Sequence, residues 1–469
     1  MHNAERIKQI KTNLGNSCDI VTRDISPNLS YIYLESVSSD DKISQFLMKS
    51  ITKTTDIDTM LNYLQGNIYN SNIQILDKLE ACYYYLASGY TCLFIEGEES
   101  YIAIETKASL DRGVSESNSE PIIRGPKDSF TENNATNLGL IRKRIKDPKL
   151  RFEAMKIGKR TESKVSIIYI DDIVEKKKIT YIKQILKSIN LDGVLDSGYI
   201  RDFLEKHQRS TFPKMISTER PDFACQNILA GKIIVMVENS PYVLILPAVL
   251  SDFFKTPEDY YQSALNTSFN RTLKSIAFLV SILTPAIYLA LVSFNPEMIP
   301  DDLLISLAFQ SSKVPFAAYL EIIIFIIFFD ILREADNRAP NISGASMSIV
   351  GALILGDAAV RAGLVSPIVI IVVAITTICE LVFTDMDFIN AIRQWRLLFI
   401  FAAMFLGIIG IVIMGLILII KLASLELLNT AYLAPISPLY QHNLILPSAD
   451  KRRTRADYMT NNEKKAGNL

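Results

Sequence analysis

The pattern of apolar and polar positions divides the chain into two halves. Residues 1 to about 270 mix charged and apolar positions, whereas residues 275 to 420 are dominated by long apolar stretches. A helix that spans a bilayer needs about 20 predominantly apolar residues. The pattern therefore predicts a globular first half and a second half made of membrane-spanning helices.

Four stretches of the second half are apolar enough to predict spanning helices. Pro285 lies in the middle of the first stretch and predicts a kink, which a membrane helix tolerates when neighbouring helices satisfy the freed carbonyl group. The last stretch contains three glycines and is the least ambiguous of the four. The predicted spans are 275–296, 314–332, 362–379 and 397–420.

Two shorter stretches, 298–316 and 346–363, are predicted to lie in the membrane interface or to re-enter the membrane. Counting 346–363 as a span gives five helices and an external C-terminus, whereas a re-entrant segment gives four helices and a cytosolic C-terminus. The basic residues 451–455 favour four helices, and Arg393 and Arg396 in "RQWR" oppose that count. We expect four.

The second of these stretches also contains a pair of opposite charges. Asp357 and Arg361 are four residues apart, so on a helix they share a face. Charged side chains inside a membrane segment are costly unless they are paired. We therefore expect these two side chains to neutralise each other.

An internal duplication is visible in the first half. Residues 30–43 align without gaps on residues 166–179, and both show a strand-like run, an acidic turn and a helix start. Residues 89–104 parallel residues 231–245, and each stretch has the pattern of a β-hairpin. Two matching pairs in the same order favour duplication over chance similarity.

The predicted fold class is an α/β duplicated cytosolic domain followed by an all-α transmembrane helical bundle. The N-terminal residues contain no apolar run typical of a signal peptide, so we expect the first half to stay in the cytosol. The predicted boundaries are 1–108 for the first subdomain, 109–163 for a connector, 164–270 for the second subdomain, 271–422 for the transmembrane domain and 423–469 for a C-terminal tail.

The composition argues against several classes of function. With 49 basic and 50 acidic residues, the formal net charge is -1, which argues against a broadly cationic nucleic-acid binder. The five cysteines form no CxxC pair, so neither a disulfide framework nor a metal site is predicted. The sequence has no P-loop, HExxH or GxSxG motif, and its three histidines suggest no general base. We therefore expect neither catalysis nor a cofactor.

Acidic residues inside the apolar stretches are the strongest functional signal. An ionisable side chain at the centre of a lone spanning helix costs about 2.5 to 3.5 kcal/mol on insertion scales. We expect Asp330 to pair with Arg333, one turn away near the membrane surface. Glu321 has no local basic partner, so it either lines a cation or proton path or makes a buried hydrogen bond to a neighbouring helix. Glu380 is the second path candidate, with interface anchoring as its alternative.

Many short motifs also carry a family resemblance, and they occur in a single order along the chain. They include "SGYIRDFLEKHQRSTFPKMISTERPD" (197–222), "SPYVLILPAVLSDFFKTPEDYY" (240–261), "EMIPDDLLISLAF" (297–309), "VPFAAYLE" (314–321), "LREADNRAP" (332–340) and "SIVGALILGDAAVRAGLVSP" (348–367). Over about residues 109 to 420, the chain resembles the GerA-type A subunits of bacterial spore germination receptors.

The resemblance implies an oligomeric subunit of a nutrient-germinant receptor in the inner membrane of the spore. Such a subunit acts with a transporter-like B subunit and a lipoprotein C subunit, senses or transduces germinant binding, and conducts cations. Glu321 then becomes the best pore-facing candidate, and a ring of such carboxylates from several copies would attract cations. The candidates for structural or gating roles are Asp330, Arg333, Asp357, Arg361 and Pro285.

Three other classes of function compete with this interpretation. A secondary transporter is disfavoured because the membrane half has too few spans and no internal repeat. A membrane-anchored enzyme is disfavoured because the catalytic signatures are missing. A membrane-anchored scaffold without ion conduction remains an alternative.

Overall fold

The computed structural model of the chain describes most of its residues. The described ranges are 3–49, 72–109, 120, 122, 124–205, 210–338 and 356–437, without the side chains of 336–338. Most of the stretch 346–363 and all of the basic residues 451–455 lie outside these ranges, and both entered the choice between four and five spans.

Two five-stranded antiparallel sheets form the first half, and both have the same strand order. The order is β1-β2-β4-β5-β3 in the first sheet and β6-β7-β9-β10-β8 in the second. The strands of the first sheet are β1 (Ile20–Ser26), β2 (Leu29–Leu34), β3 (Ile73–Leu76), β4 (Tyr90–Ile95) and β5 (Tyr101–Glu105). Those of the second are β6 (Leu150–Ile157), β7 (Ser163–Ile170), β8 (Ile216–Thr218), β9 (Ile233–Val237) and β10 (Val243–Leu246).

Helices cover these sheets. The helices that pack with the first sheet are α1 (Asn3–Asn13), α2 (Leu79–Ala87) and the short helical segments Asp40–Lys42 and Ile43–Met48. The helices that pack with the second sheet are α3 (Asn134–Arg144), α4 (Lys176–Ser188), α5 (Ser197–Glu205) and α6 (Pro221–Leu229).

The repeated strand order confirms the predicted duplication. The aligned stretches hold matching strands: β2 and β7 end at aligned positions, and so do β4 and β9. The second sheet nevertheless starts earlier than the sequence pattern indicates, because α3 and β6 lie inside the predicted connector 109–163. In β6 only the first three and the last residue are buried, with charged side chains between them, so the strand resembles a loop in sequence.

The apolar core of the second sheet continues into the helices of the second half. Val165, Ile167 and Tyr169 of β7 pack beside α4 and α5, whereas Ile168 and Ile170 point into the opposite core. This alternation follows from the period of two along a strand. The opposite core contains α3 and α6 and also the buried side chains of the apolar helices. The second subdomain and the helical region therefore share one hydrophobic core.

Five helices make up most of the described second half. They are α7 (Ala264–Ser293), α8 (Asp301–Ser311), α9 (Ala318–Arg338), α10 (Pro367–Glu380) and α11 (Met386–Ser424). Within the described residues, α7 and α11 are long and apolar enough to cross a membrane, and α10 is a shorter apolar helix. Helix α9 carries more charge. Helix α7 continues through the buried Pro285.

Helix α11 folds back on itself at Gly407. This residue has φ 58° and ψ -135°, which is not a helical conformation. A straight helix of these 39 residues would be about 58 Å long. Phe388 near its start and Tyr432 just beyond its end nevertheless both lie beside Phe253, with ring centroids at 4.7 and 6.4 Å. Residues 386–406 and 408–424 are therefore two antiparallel segments.

The hairpin corrects the prediction of a single span at 397–420. Beyond α11, the short strands β11 (Glu426–Leu427) and β12 (Thr430–Ala431) return to the second subdomain, where the Leu250 N–H donates to the Tyr432 carbonyl at 2.8 Å. The described chain therefore enters and leaves the helical region on the same side, an arrangement that the four-span interpretation also expects. Hydropathy did not show the turn because Gly407 lies inside an unbroken apolar run.

A buried ion pair joins the two subdomains. Arg142 of α3 is fully buried and donates to both carboxylate oxygens of Asp19, at 2.8 and 3.0 Å. Ser17 and Ser36 also donate to this carboxylate. Burial raises the pKa of Asp19, but Arg142 and these donors outweigh it and hold the pKa below its usual value. Neither subdomain can move away without leaving a buried charge unpaired.

We predict that Gly407→Ala destabilises the helical hairpin. The backbone conformation at this position costs about 1 to 3 kcal/mol for a residue other than glycine. In addition, the Cβ of an alanine would lie 2.9 Å from the Cβ of Phe294. Thermal unfolding of the full chain in detergent should show a lower melting temperature. Gly415→Ala is the matched control because a Cβ there meets nothing within 4 Å. Equal melting temperatures for the two variants would contradict a tight turn at Gly407.

Candidate functional site in the helical region

Glu321 caps a neighbouring helix. Its side chain is 3% exposed, and Oε2 accepts a hydrogen bond of 2.8 Å from the backbone N–H of Ser366. Ser366 precedes the first residue of α10. The first N–H groups of a helix have no partner within the helix, and the helix dipole makes this end electropositive. A carboxylate at this position satisfies one of these donors and places its charge at the favourable end.

Glu380 lies at the opposite end of α10, where the helix dipole disfavours a negative charge. It is 1% exposed and is held by cations from two other helices. Arg333 of α9 donates to Oε2 at 3.1 Å, Arg393 of α11 lies 3.5 Å from the same oxygen, and Arg396 of α11 donates to Oε1. These arginines supply the compensation that a buried carboxylate requires.

Asp330 belongs to the same group of charges. Its carboxylate lies 3.3 Å from Arg393 and 3.6 Å from Arg396, and its side chain is 32% exposed. Asp330 therefore pairs with arginines of α11, and its expected partner Arg333 binds Glu380 of α10 instead. We call Asp330, Arg333, Glu380, Arg393 and Arg396 the arginine cluster.

The two carboxylates mark the ends of one seam between α9 and α10. Glu321 contacts Ser366 at the start of both helices, and Arg333 contacts Glu380 toward their ends. The two helices therefore run in the same direction. Glu321 and Arg333 are separated by about 18 Å along the axis of α9, at about 1.5 Å per residue. Glu321 and Glu380 thus lie at different depths, and each one is already engaged by a neighbouring element.

Asp357 and Arg361 form the expected ion pair. Their side chains are 2.8 Å apart and well exposed, outside the arginine cluster. An exposed pair with this geometry stabilises a protein by no more than about 1 kcal/mol. Among the described residues, no group of three or more His, Cys, Asp or Glu side chains is placed to hold a metal ion.

The role of Arg393 and Arg396 was not predicted from the sequence. Their charges bore there only on the orientation of the membrane segments. Their spacing of three residues places them on one helical face, and both lie near the start of a long apolar helix. That spacing was the available signal, but the partners Asp330 and Glu380 come from other helices.

Eight aromatic side chains connect the α/β half to the helical region. Phe388 stacks on Phe253 with ring centroids 4.7 Å apart, and Trp395 stacks on Phe212 at 6.2 Å. We call this group the aromatic junction, and its members are Phe212, Phe253, Phe254, Phe278, Phe383, Phe388, Trp395 and Tyr432.

Polar contacts surround the aromatic junction. The indole N–H of Trp395 donates to Thr211 Oγ1 at 2.9 Å, and Arg201 of α5 pairs with Asp387 of α11. Asp252, next to Phe253, is buried between Lys232 and Lys255, each 2.7 Å away. Burial raises the pKa of this carboxyl, but the two ammonium groups outweigh it and hold the pKa well below the usual value. The aromatic junction is therefore held both by ring packing and by the hydrogen bond and ion pairs around it.

Together, the fold and the charged seam define a class of membrane-associated protein in which a duplicated α/β half shares its core with apolar helices. A family model described as "Bacillus/Clostridium GerA spore germination protein" matches residues 8–463. The chain belongs to this GerA family of spore germination proteins. The match confirms the resemblance found in the motifs and extends it over nearly the whole chain.

Individual relatives agree with this assignment. Spore germination protein KA of Bacillus subtilis (strain 168) is 33% identical over 444 residues, which are 93% of this chain and 82% of that protein. Spore germination protein XA of Bacillus anthracis is 37% identical over 346 residues, covering 74% and 70%. The crystal structure of the N-terminal domain of the A subunit of the Bacillus megaterium spore germinant receptor GerK3 matches with 30% identity and a TM-score of 0.42, covering 53% of this chain and 95% of that one.

We predict that Glu380→Gln destabilises the helical region by about 3 to 5 kcal/mol, the cost of leaving a buried charge without its partner. Arg396 is 2% exposed and would lose its principal partner. Chemical denaturation of the full chain in detergent measures the effect. The control is Asp357→Asn, which breaks an exposed pair and should change stability by less than about 1 kcal/mol. Equal effects of the two substitutions would show that Glu380 is not held as described.

Proposed function

We propose that the chain is the A subunit of a nutrient-germinant receptor in the inner membrane of the spore. Its α/β half faces the cytosol, and it assembles as a homo-oligomer with a transporter-like B subunit and a lipoprotein C subunit. It passes the structural change caused by germinant binding from the membrane helices to the cytosolic half. Membership of the GerA family supports the assignment to spore germination.

The aromatic junction is the observation that carries the proposal of transduction. A displacement of α7 or α11 moves Phe278, Phe388 or Trp395 directly against rings of the second subdomain. Close-packed side chains have few voids and transmit displacement instead of absorbing it. The helical region and the second subdomain also share one core, so a movement in one half changes packing in the other.

We predict that Trp395→Phe weakens this coupling while it keeps an aromatic ring against Phe212. The variant loses the hydrogen bond to Thr211, which contributes about 1 kcal/mol and corresponds to about a fivefold slower response. Spores that carry the variant as their sole A subunit are followed by the loss of optical density in rich nutrient medium. Immunoblots of the subunit establish that its amount is unchanged.

Two further variants sharpen this test. Thr211→Val removes the other partner of the same hydrogen bond, so the double variant should respond no more slowly than either single variant. Phe405→Leu is the control because this ring is 70% exposed and lies outside the aromatic junction. A normal response from both Trp395→Phe and Thr211→Val would contradict transduction through this contact.

Cation conduction is the second part of the proposal, with Glu321 and Glu380 as the path candidates. The observation in its favour is that both carboxylates lie on one seam of an apolar helical region. In the single chain, however, Glu321 caps α10 and Glu380 is bound by arginines. A path along the seam therefore requires the assembled complex to expose these carboxylates. Without such exposure, the chain serves as a transducing scaffold.

Substitutions of Glu321 separate these two roles. Glu321→Gln removes the charge but keeps an oxygen that accepts from Ser366, whereas Glu321→Ala removes both. If Glu321 lines a cation path, both variants should lose cation current in planar bilayers that contain the assembled receptor. If it is only a helix cap, Glu321→Gln should keep the melting temperature of the wild type, and Glu321→Ala should lower stability by about 1 kcal/mol. Unchanged current in Glu321→Gln removes Glu321 from the path.

A further inference from the structure

The arginine cluster carries one more positive charge than its own carboxylates balance. Three guanidinium groups, those of Arg333, Arg393 and Arg396, surround the two carboxylates of Asp330 and Glu380. Arginine stays protonated in proteins, so its charge is not removed by deprotonation. An uncompensated charge in an apolar helical region is costly. The cluster is therefore electrostatically incomplete in the described chain.

Hydrogen-bond donors of the cluster are also left over. Within the described residues, Nη2 of Arg393 and Nε of Arg396 are buried and have no partner. Leaving a buried donor without a partner destabilises a protein, because the donor has lost its hydrogen bonds to water. Both unpartnered donors lie on side chains of α11, and both side chains belong to the cluster that carries the surplus positive charge. A single bound anion with several oxygen atoms would supply both the missing charge and the missing acceptors.

The cluster opens toward an apolar surface. Asp330 is 32% exposed and Arg393 is 18% exposed, so one edge of the cluster is accessible. On the same helices, large apolar side chains near this edge are exposed, including Ile327 at 49% and Ile331 at 61%. A ligand that fits this edge combines a charged head with apolar chains.

The position of the cluster along the helices agrees with such a ligand. Arg396 follows Trp395, whose indole N–H is bonded to Thr211 of the α/β half. The cluster therefore lies near the end of the apolar helices that faces the α/β half, where lipid head groups meet a membrane helix. Tryptophan is enriched at this level of membrane proteins, and arginine side chains reach toward head groups from it.

We propose that the arginine cluster binds a phosphate group, carried by an anionic phospholipid of the leaflet on the α/β side. Guanidinium groups match phosphate because their planar N–H forks donate two parallel hydrogen bonds. The phosphate supplies the absent negative charge, and the acyl chains cover the exposed isoleucines of α9. This inference is independent of germinant transduction and of conduction, since it requires only that the helices lie in a membrane.

The test measures lipid binding by the full chain purified in detergent. Native mass spectrometry and thermal unfolding are recorded with phosphatidylglycerol, with phosphatidylcholine and with inorganic phosphate alone. Both lipids carry a phosphate, but the ammonium group of choline cancels its charge, so phosphatidylglycerol should bind at least about tenfold more tightly than phosphatidylcholine. Inorganic phosphate alone should give little stabilisation. Equal binding of the two lipids overturns the proposal, and so does full stabilisation by inorganic phosphate.

Arg393→Gln locates the site. It removes the surplus charge and the unpartnered donor Nη2, so the preference for phosphatidylglycerol should fall by about tenfold. Arg361→Gln is the matched control because Arg361 is an exposed arginine outside the cluster, and it should keep the wild-type preference. Arg393→Lys keeps the charge without the fork and should fall between the two, which provides a second test if the glutamine variant does not fold. An undiminished preference in a folded Arg393 variant overturns the assignment.

Discussion

A buried charge must have a partner, and this requirement connects the separate parts of the protein. Arg142 and Asp19 join the two α/β subdomains in this way, and the partly exposed pair of Arg201 and Asp387 links the second subdomain to α11. Within the helical region, Glu380 draws on arginines from α9 and α11. The two partners of each pair come from different elements, so separating those elements leaves a charge without its partner. Apolar packing provides the bulk of the stability, and these pairs select one arrangement of the parts.

The same requirement changes the meaning of the carboxylates in the apolar helices. An acid inside a membrane segment indicates either a path for ions or a partner on another helix, because both remove the cost of burial. The structure provides partners for Glu321 and Glu380 within one chain. Among the residues that the structure describes, the donors left without a partner in this cluster are Nη2 of Arg393 and Nε of Arg396. The unpartnered groups of the seam are thus on its arginines and not on its acids, which favours an anionic ligand over a cation.

The continuous core gives the protein a route between its two halves. One cluster of buried side chains extends from the second sheet through the aromatic junction to Ala403 of α11. The first subdomain has two separate cores, one on each face of its sheet, and its contacts with the second subdomain include the buried pair of Asp19 and Arg142. The second subdomain is thus the part of the α/β half that shares its packing with the helices. The first subdomain contacts the second through polar groups, among them the Cys18 N–H, which donates to the Phe152 carbonyl at 2.9 Å.

The elements with a regular local pattern could be predicted from the amino-acid sequence alone. Apolar length located α7, α9, α10 and α11, and repeated strand and hairpin patterns revealed the duplicated sheets. The pair of Asp357 and Arg361 was also predictable, because its spacing of four residues lies within one helical turn. These features depend on neighbours along the chain. The family motifs added the biological setting, which no periodicity contains.

Features that depend on residues distant in sequence could not be predicted without the three-dimensional fold. The turn at Gly407 is hidden in an unbroken apolar run, because hydropathy measures transfer into an apolar environment and not direction. The partner of Asp330 was mispredicted because the nearest cation in sequence, Arg333, satisfies a carboxylate on another helix. Strand β6 resembled a linker until its pairing with β7 was known. Local spacing sets which face a side chain occupies, and the packing of other elements sets what that face meets.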